Sequence, residues 1–300
     1  MVTDMRLVIS CTRTESSWEK DQLIQSSRGI FDDVVSVNPT DLAFEFINGR
    51  PSAAFLPNGQ SVIGDALITR STYKGAEASA LLFEVLSSEG AASLDPKSRY
   101  SGRPPSKTFT TPGRHERAVG SDTAIIFSEE SAQEVVQRWL KSGAVVLKPT
   151  DGKGGVGVSS FSDYSKAKPA IERHFSVSEA PLLLQRLEPI EAEFRVMVLN
   201  HELLAGALKV QQSGQLAANA SQGAAFQRAD VTSLHEWIVD SGLELGLFGV
   251  DVARRKDGSL FVIEENHSPQ WRALQAATGV SISDRIIESL ALSIGTLRSS

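Results

Sequence analysis

The chain has 300 residues, enough for two domains with cores of their own, and its 41% hydrophobic and 22% charged residues are those of an ordinary globular protein. A formal net charge of −6 argues against a general nucleic-acid binder. No apolar run has the length of a bilayer span and the first residues carry no signal-peptide pattern, so no membrane association and a cytoplasmic location are the expectation. Cys11 is the single cysteine, which excludes an intrachain disulfide.

In chain order, residues 6–10 read as a buried strand, 18–28 as a helix with Leu23 and Ile24 inward, and 33–37 as a second strand. Residues 42–47 and 52–56 form a β segment folded at Asn48-Gly49, and 66–69 is a further strand. Residues 76–88 read as an amphipathic helix carrying Ala80, Leu81, Phe83, Val85 and Leu86. This β–α alternation predicts a small open α/β domain over residues 1–92, with Arg70 at a strand end, where ligands of such sheets bind. Residues 93–123 change composition to Ser, Pro, Gly and Thr and read as a linker or mobile loop. Lys97, Arg99, Arg103, Lys107, Arg114 and Arg117 make it basic, which fits either a solvated loop or an electropositive rim for phosphates or an acidic substrate.

Ser128 is placed to cap a helix from about Glu130 to Lys141, with Gly143 as its stop. Residues 144–147 form a strand with Lys148 at its end, 150–156 a Gly-rich loop, and 157–161 another strand. Gly152, Gly154 and Gly157 formally fit a dinucleotide fingerprint, but the segment after them reads as a strand rather than a helix, and no P-loop pattern is present. A Gly loop that lets backbone N–H groups approach phosphate oxygens, with Lys148 at its base, is the reading preferred over a plain hairpin turn.

Residues 181–187 form an apolar strand whose edge presents the Gln185 carbonyl and the Leu187 N–H to an adenine ring. Glu193 and Arg195 precede the strand 196–199, and Lys209 lies on the strand 203–210 that follows the Asn200-His201 turn. Two readings stay open for these side chains: contacts to ribose, phosphate or carboxylate, or a cross-strand salt bridge, above all Glu193 with Lys209. Residues 211–226 read as a polar loop in which Asn219 stands out, and a helix is expected from about Arg228 to Leu245. Residues 247–269 then read as two strands reversed at Lys256-Asp257-Gly258, followed by closing helices over 269–277 and 283–297. Strand alternation puts Glu264 and Asn266 on one side and Glu265 on the other, and a paired hairpin brings Asp251 beside the first two. Two carboxylates and an amide oxygen repel one another unless a positive charge lies between them. That leaves a solvated acidic hairpin end or a site for a hard cation such as Mg2+.

Taken together, Lys148-Pro149 with its Gly loop, Gln185-Arg186-Leu187, Glu193-Phe194-Arg195, Lys209, Asn219, Gly249-Val250-Asp251 and Glu264-Glu265-Asn266-His267-Ser268-Pro269 occur in an order that resembles the ATP-grasp superfamily. Within it the chain is similar to the ribosomal-protein glutamate ligases and the graspetide (microviridin-type) peptide ligases, over about residues 66–290. The resemblance implies an α+β fold, two subdomains clasping ATP (124–188 and 189–300) behind the small α/β domain and the linker. It implies Lys148, Gly152, Gly154, Gly155 and Lys107 as phosphate contacts, Gln185 and Leu187 as the adenine hinge, and Glu193 as the ribose acid. Asp251, Glu264 and Asn266 become ligands of one or two Mg2+ ions, with Mn2+ as an alternative, and Arg195, Lys209 and Asn219 stand at the reaction centre. The implied activity is ADP-forming ligation of a carboxylate to an amine or hydroxyl through an acyl phosphate, with phosphotransfer or plain nucleotide binding as alternatives. The implied partners are ATP, a carboxylate substrate and an acceptor such as an acidic peptide, with Arg70 and Arg272 as substrate contacts; a homo-oligomer is left open. The chain departs from the family where Glu265 replaces an apolar residue and Gln270-Trp271-Arg272 follows Pro269 in place of glycine.

Overall fold

The computed structural model describes residues 4–12, 17–70, 75–96, 100, 120–150, 156–210 and 225–299. Its first sheet is parallel, in the order β2-β1-β5-β6. Strand β1 (Arg6–Cys11) leads through helix α1 (Trp18–Ser27), capped by Ser17, to β2 (Asp33–Val37). A hairpin of β3 (Ala43–Ile47) and β4 (Arg50–Phe55) follows, and Asn48 and Gly49 both take the positive φ that its two-residue turn demands, 54° and 75°. Strand β5 (Ala66–Arg70) returns to the free side of β1, and helix α2 (Ala76–Ser88) connects it to the short β6 (Ala92–Ser93). Alternation along β1 sends Leu7 and Ile9 to the face covered by Leu23 of α1, and Val8 to the face covered by Leu82, Val85 and Leu86 of α2. Leu82, not Leu81, is thus the inward residue of α2.

The second sheet is antiparallel, β7-β10-β8-β9. It comprises β7 (Thr123–Ile126), β8 (Val145–Pro149), β9 (Ser159–Phe161) and β10 (Leu182–Arg186), covered by α3 (Glu129–Leu140) and α4 (Tyr164–Val177). Helix α4 starts where the Asp163 carboxylate accepts the Ser165 N–H, and it turns Ala167 and Ile171, four residues apart, onto the sheet.

The third sheet, β13-β12-β11-β14-β15, is antiparallel and built from β11 (Ile190–Leu199), β12 (Glu202–Val210), β13 (Ala225–Arg228), β14 (Leu247–Arg255) and β15 (Leu260–Asn266). Helices α5 (Thr232–Asp240), α6 (Arg272–Thr278) and α7 (Ile282–Ser299) complete the chain. Two expectations are corrected here. Residues 225–228 pair with β12 as a strand instead of ending a loop, because the apolar edge of Ala207–Val210 offers them a ladder. The helix expected from Arg228 starts only at Thr232, where Asp230 accepts the Thr232 N–H and hydroxyl.

One face of the third sheet packs Val196, Val198, Val250, Val252 and Val262 under Leu234 and Ile238 of α5. The opposite face changes character halfway along. Met197, Leu199, Ala205 and Leu247 share a core with Leu7, Ile9 and Ile68 of the first sheet and with Trp271, Ile286 and Leu290. Beyond them the same face carries Glu193, Arg195, Lys209 and Asp251. The first residues after β6 belong to this junction and not to a free linker, since the Leu247 N–H donates to the Leu94 carbonyl at 2.7 Å and Asp95 accepts the Thr69 N–H at 2.6 Å. The six cations that make residues 97–117 basic lie outside the described residues.

Candidate active site

Strand pairing brings the charged side chains together. Arg195 of β11 stands opposite Asp251 of β14, and Asp251 stands opposite Glu264 of β15, so the three form one row across the sheet on the same face. The next row is Met197, Gly249 and Asn266. Glu193 lies one position past the Phe194–Leu208 pair, which sets it across from Lys209 on β12. Glu265 pairs with Val250 and points to the other face, as strand alternation requires.

The resulting cluster is dry and tightly paired. Arg195 Nε lies 2.5 Å from Asp251 Oδ1 and its Nη2 donates to Oδ2 at 3.0 Å, while Lys209 Nζ reaches the same Oδ2 at 3.3 Å and also donates to Glu193 Oε1. Side-chain exposure is 2% for Lys209, 5% for Asp251 and 9% for Glu193. Burial pushes the Glu193 carboxyl above its ordinary 4.5; Lys209 pulls against that push and the Asp251 carboxylate adds to it, with the net shift upward. The cross-strand salt bridge between Glu193 and Lys209 is therefore present. The Asp251 charge of the hairpin is countered within the chain, because Arg195 and Lys209 both pair with it.

Asp251, Glu264 and Asn266 nevertheless fit a hard cation. All three donors are oxygens, they share one face at the end of the sheet, and Asp251 Oδ1 is buried without a well-directed hydrogen bond. Asn266 Oδ1 accepts the Ser268 N–H at 2.9 Å, which fixes the amide and leaves the oxygen a second lone pair. Among the described residues no group of three or more His, Cys, Asp or Glu side chains is placed for a metal, so a cation here rests on two carboxylates and an amide.

The other expected contacts stand on the second sheet. Lys148 is half-buried on β8 opposite Leu183. Gln185 is buried, and its amide donates to Thr123 Oγ1 at 3.0 Å. Strand β10 lies between β7 and β8, so it is no edge, and the Leu187 N–H already donates to the Ala144 carbonyl at 3.0 Å. Reading Leu187 as an adenine donor thus requires that bond to open, because the ladder between β10 and β8 is continued by one further bond at Ala144, just before β8. Lys107, Gly152, Gly154, Gly155 and Asn219 lie outside the described residues.

The two substrate candidates lie at the junction of the first and third sheets. Arg70 is 4% exposed; it donates to the Pro269 carbonyl and lies 4.6 Å over the Trp271 ring, and is built into the junction between sheets. Arg272 is exposed but turns toward Trp18, 5.9 Å from its ring, beside a cavity of about 410 Å3 also lined by Gln275 and Gly279. Sequence reasoning missed Glu19, which is 6% exposed and accepts the Trp271 N–H at 3.3 Å. An acid in the first turn of a helix reads as a partner of the helix dipole, so nothing in the sequence marked it as buried.

Comparison with known proteins extends these observations. A family model for the RimK-like ATP-grasp domain matches residues 115–290, more than half of the chain. A probable alpha-L-glutamate ligase of Trichodesmium erythraeum is 32% identical over 156 residues, covering 50% of this chain and 52% of its own; the chain spans about half the length of the curated relatives it matches. The fold agrees with the ATP-grasp ligase PsnB complexed with minimal precursor, Mg and ADP, at a TM-score of 0.68 and 16% identity over 96% of this chain and 98% of that one. It agrees likewise with a RimK domain protein from Sphaerobacter thermophilus, at a TM-score of 0.66 and 20% identity over 94% and 98% of the two chains. Because the family model covers more than half of the chain and the fold agrees, the chain belongs to the RimK-like ATP-grasp family.

Proposed function

We propose that the chain is an ATP-dependent ligase that joins a carboxylate to an amine or a hydroxyl and releases ADP and phosphate. The observation that carries this reading is the row Arg195, Asp251 and Glu264, with Lys209 and Asn266 beside it, at the end of a sheet in an ATP-grasp family member. A substrate carboxylate displaces ADP from the γ-phosphoryl group to give an acyl phosphate; the acceptor then displaces phosphate, leaving an amide from an amine or an ester from a hydroxyl. Bound MgATP supplies the phosphoryl group and part of the charge neutralisation.

The chain's own residues contribute position and charge. Asp251, Glu264 and Asn266 would hold the metal, and Lys148 with the Gly-rich segment 150–156 would hold phosphates. Arg195 and Lys209, already fixed by Asp251 and Glu193, offer cations that need no reorganisation as negative charge moves onto a leaving phosphate. Both pair with Asp251, so with that carboxylate also holding a metal, part of the Arg195 and Lys209 charge would be available to the substrate. The family resemblance assigns the Gln185 backbone to the adenine and Glu193 to the ribose, and it assigns Asn219 to the reaction centre and Lys107 to the phosphates, both outside the described residues. Four working parts follow: residues 1–92 for the acceptor side, 93–123 as the basic connector, and 124–188 and 189–300 as the two halves of the clasp.

One of the two substrates is a peptide or protein. This rests on relatives that include a ribosomal protein bS6–L-glutamate ligase and on the PsnB complex with its precursor. Among the described residues no helix is long and apolar enough to cross a membrane. ADP release with mass analysis of the products tests the reading: ADP with an amide or ester supports it, whereas a stable phosphorylated product assigns a phosphotransferase, and ATP binding without ADP release a non-catalytic protein.

A further inference from the structure

The strand that carries Glu264 and Asn266 does not run out into solvent. After Asn266 the chain turns on the Ser268 N–H and sets Pro269 down on β14 at Gly249, the residue paired with Asn266. A Cβ built on Gly249 would lie 2.5 Å from Pro269 Cβ, so only glycine admits this approach. The segment is then gripped from the first sheet. Arg70, the last residue of β5, donates to the Pro269 carbonyl and stacks over Trp271, and Glu19 of α1 accepts the Trp271 N–H. Exposure is 4% for Arg70, 6% for Glu19 and 0% for Trp271. The end of β5 is itself held, since Thr69 N–H donates to Asp95 and Thr69 Oγ1 lies 2.7 Å from the Tyr100 hydroxyl.

Two buried ionisable side chains of opposite sign are thus directed at the main chain of one short segment. Burying such groups carries a desolvation penalty that well-packed apolar residues joining two sheets would not incur. What a directed donor and acceptor add over apolar packing is a fixed position for the atoms they hold, and the atoms held here lie three to five residues beyond Asn266. We infer that Arg70 and Glu19 are positioning residues for the metal site, acting through Pro269 and Trp271 on Asn266, so that the first sheet sets the affinity of the third for its cation. The inference rests on the reading of Asp251, Glu264 and Asn266 as metal ligands.

Calorimetric titration of Mg2+ into the full chain saturated with ADP, beside ADP titration in EDTA, tests it. Arg70→Met weakens Mg2+ binding about ten- to hundred-fold, the usual loss when a residue orienting a metal ligand is removed, and leaves ADP affinity in EDTA unchanged. Arg70→Lys, which keeps a donor for the Pro269 carbonyl, falls between Arg70→Met and the wild type. Glu19→Ala weakens Mg2+ in the same selective way and serves as the reading if Arg70→Met does not fold. Wild-type Mg2+ affinity in a folded Arg70→Met or Glu19→Ala, or an equal fall in Mg2+ and ADP affinity, overturns the positioning role while leaving the site assignment standing. A wild-type protein that binds ADP and then no Mg2+ overturns the site assignment and the inference together.

Discussion

Lys209→Met is the sharpest probe of the charged half of the third sheet. Lys209 Nζ lies 3.3 Å from Asp251 Oδ2 and donates to Glu193, with 2% of its side chain exposed. At an effective dielectric of about 20, unit charges at that distance attract by about 5 kcal/mol, before the cost of desolvation is set against it. Methionine keeps the length of the side chain and removes the charge, leaving two buried carboxylates with Arg195 alone; breaking one partner out of such a buried set costs about 3–5 kcal/mol. Asp251 keeps its two contacts to Arg195, so Glu193 bears most of the loss. The Glu193 carboxyl already sits above 4.5, and without Lys209 it rises further. A folded state that holds this proton more tightly than the unfolded chain loses stability as pH rises from about 4.5 through the folded value. Urea unfolding of Lys209→Met should therefore show a deficit that is small at pH 5 and grows toward pH 8, while the double variant Lys209→Met/Glu193→Gln recovers most of it. A deficit below about 1 kcal/mol at pH 8, or one that does not change with pH, refutes the picture of a dry, coupled cluster.

Three further outcomes are expected. Glu264→Gln, which touches neither Arg195 nor Lys209 in the row, abolishes ADP release and leaves the unfolding curve unchanged; full turnover in the purified variant removes Glu264 from the metal site. Gly246→Ala costs roughly 1–3 kcal/mol by thermal unfolding, because Gly246 has φ +136° and a Cβ there would lie 2.6 Å from the Pro96 nitrogen; an unchanged melting temperature contradicts the docking of residues 94–96 on β14. Asp163, whose carboxyl is held below its usual 3.8 by the Ser165 N–H and hydroxyl, stabilises α4 above that pH and loses the contribution as pH falls through its folded value. Asp163→Asn keeps the cap at every pH, so the wild type loses ground to it in melts below pH 3.8, and parallel melting curves would deny the cap.

How much of this was legible follows from what each signal depends on. The β14–β15 hairpin was readable because its turn residues and its two-residue alternation are local: Lys256-Asp257-Gly258 reverses the chain and the pairing then sets Asp251 against Glu264. The ends of α5 and the strand β13 were not, since Ala225–Arg228 is extended only because β12 lies beside it, and that neighbour is distant in the sequence. The charge balance failed for the same reason. Asp251 and Glu264 read alone as a pair of acids, and the cations that pair with Asp251 come from β11 and β12. Arg70 was legible as the end of a strand but its contacts were not, because Pro269 and Trp271 come some two hundred residues later.

The two halves of the third sheet's inner face explain why a charged cluster of this density is tolerable. Along β11 the residues Leu199, Met197, Arg195 and Glu193 follow one another on one face, the first pair in the core shared with the first sheet and the second pair in the site. The register of the pairing is set by the apolar half, because a slip of one residue would turn Leu199, Met197 and Leu247 out of that core. The same register then holds Arg195 opposite Asp251 and Asp251 opposite Glu264 without any contribution from the charges themselves. Preorganisation of the site is thus a consequence of packing several ångströms away, and its polar atoms are free to be arranged for chemistry and not for stability.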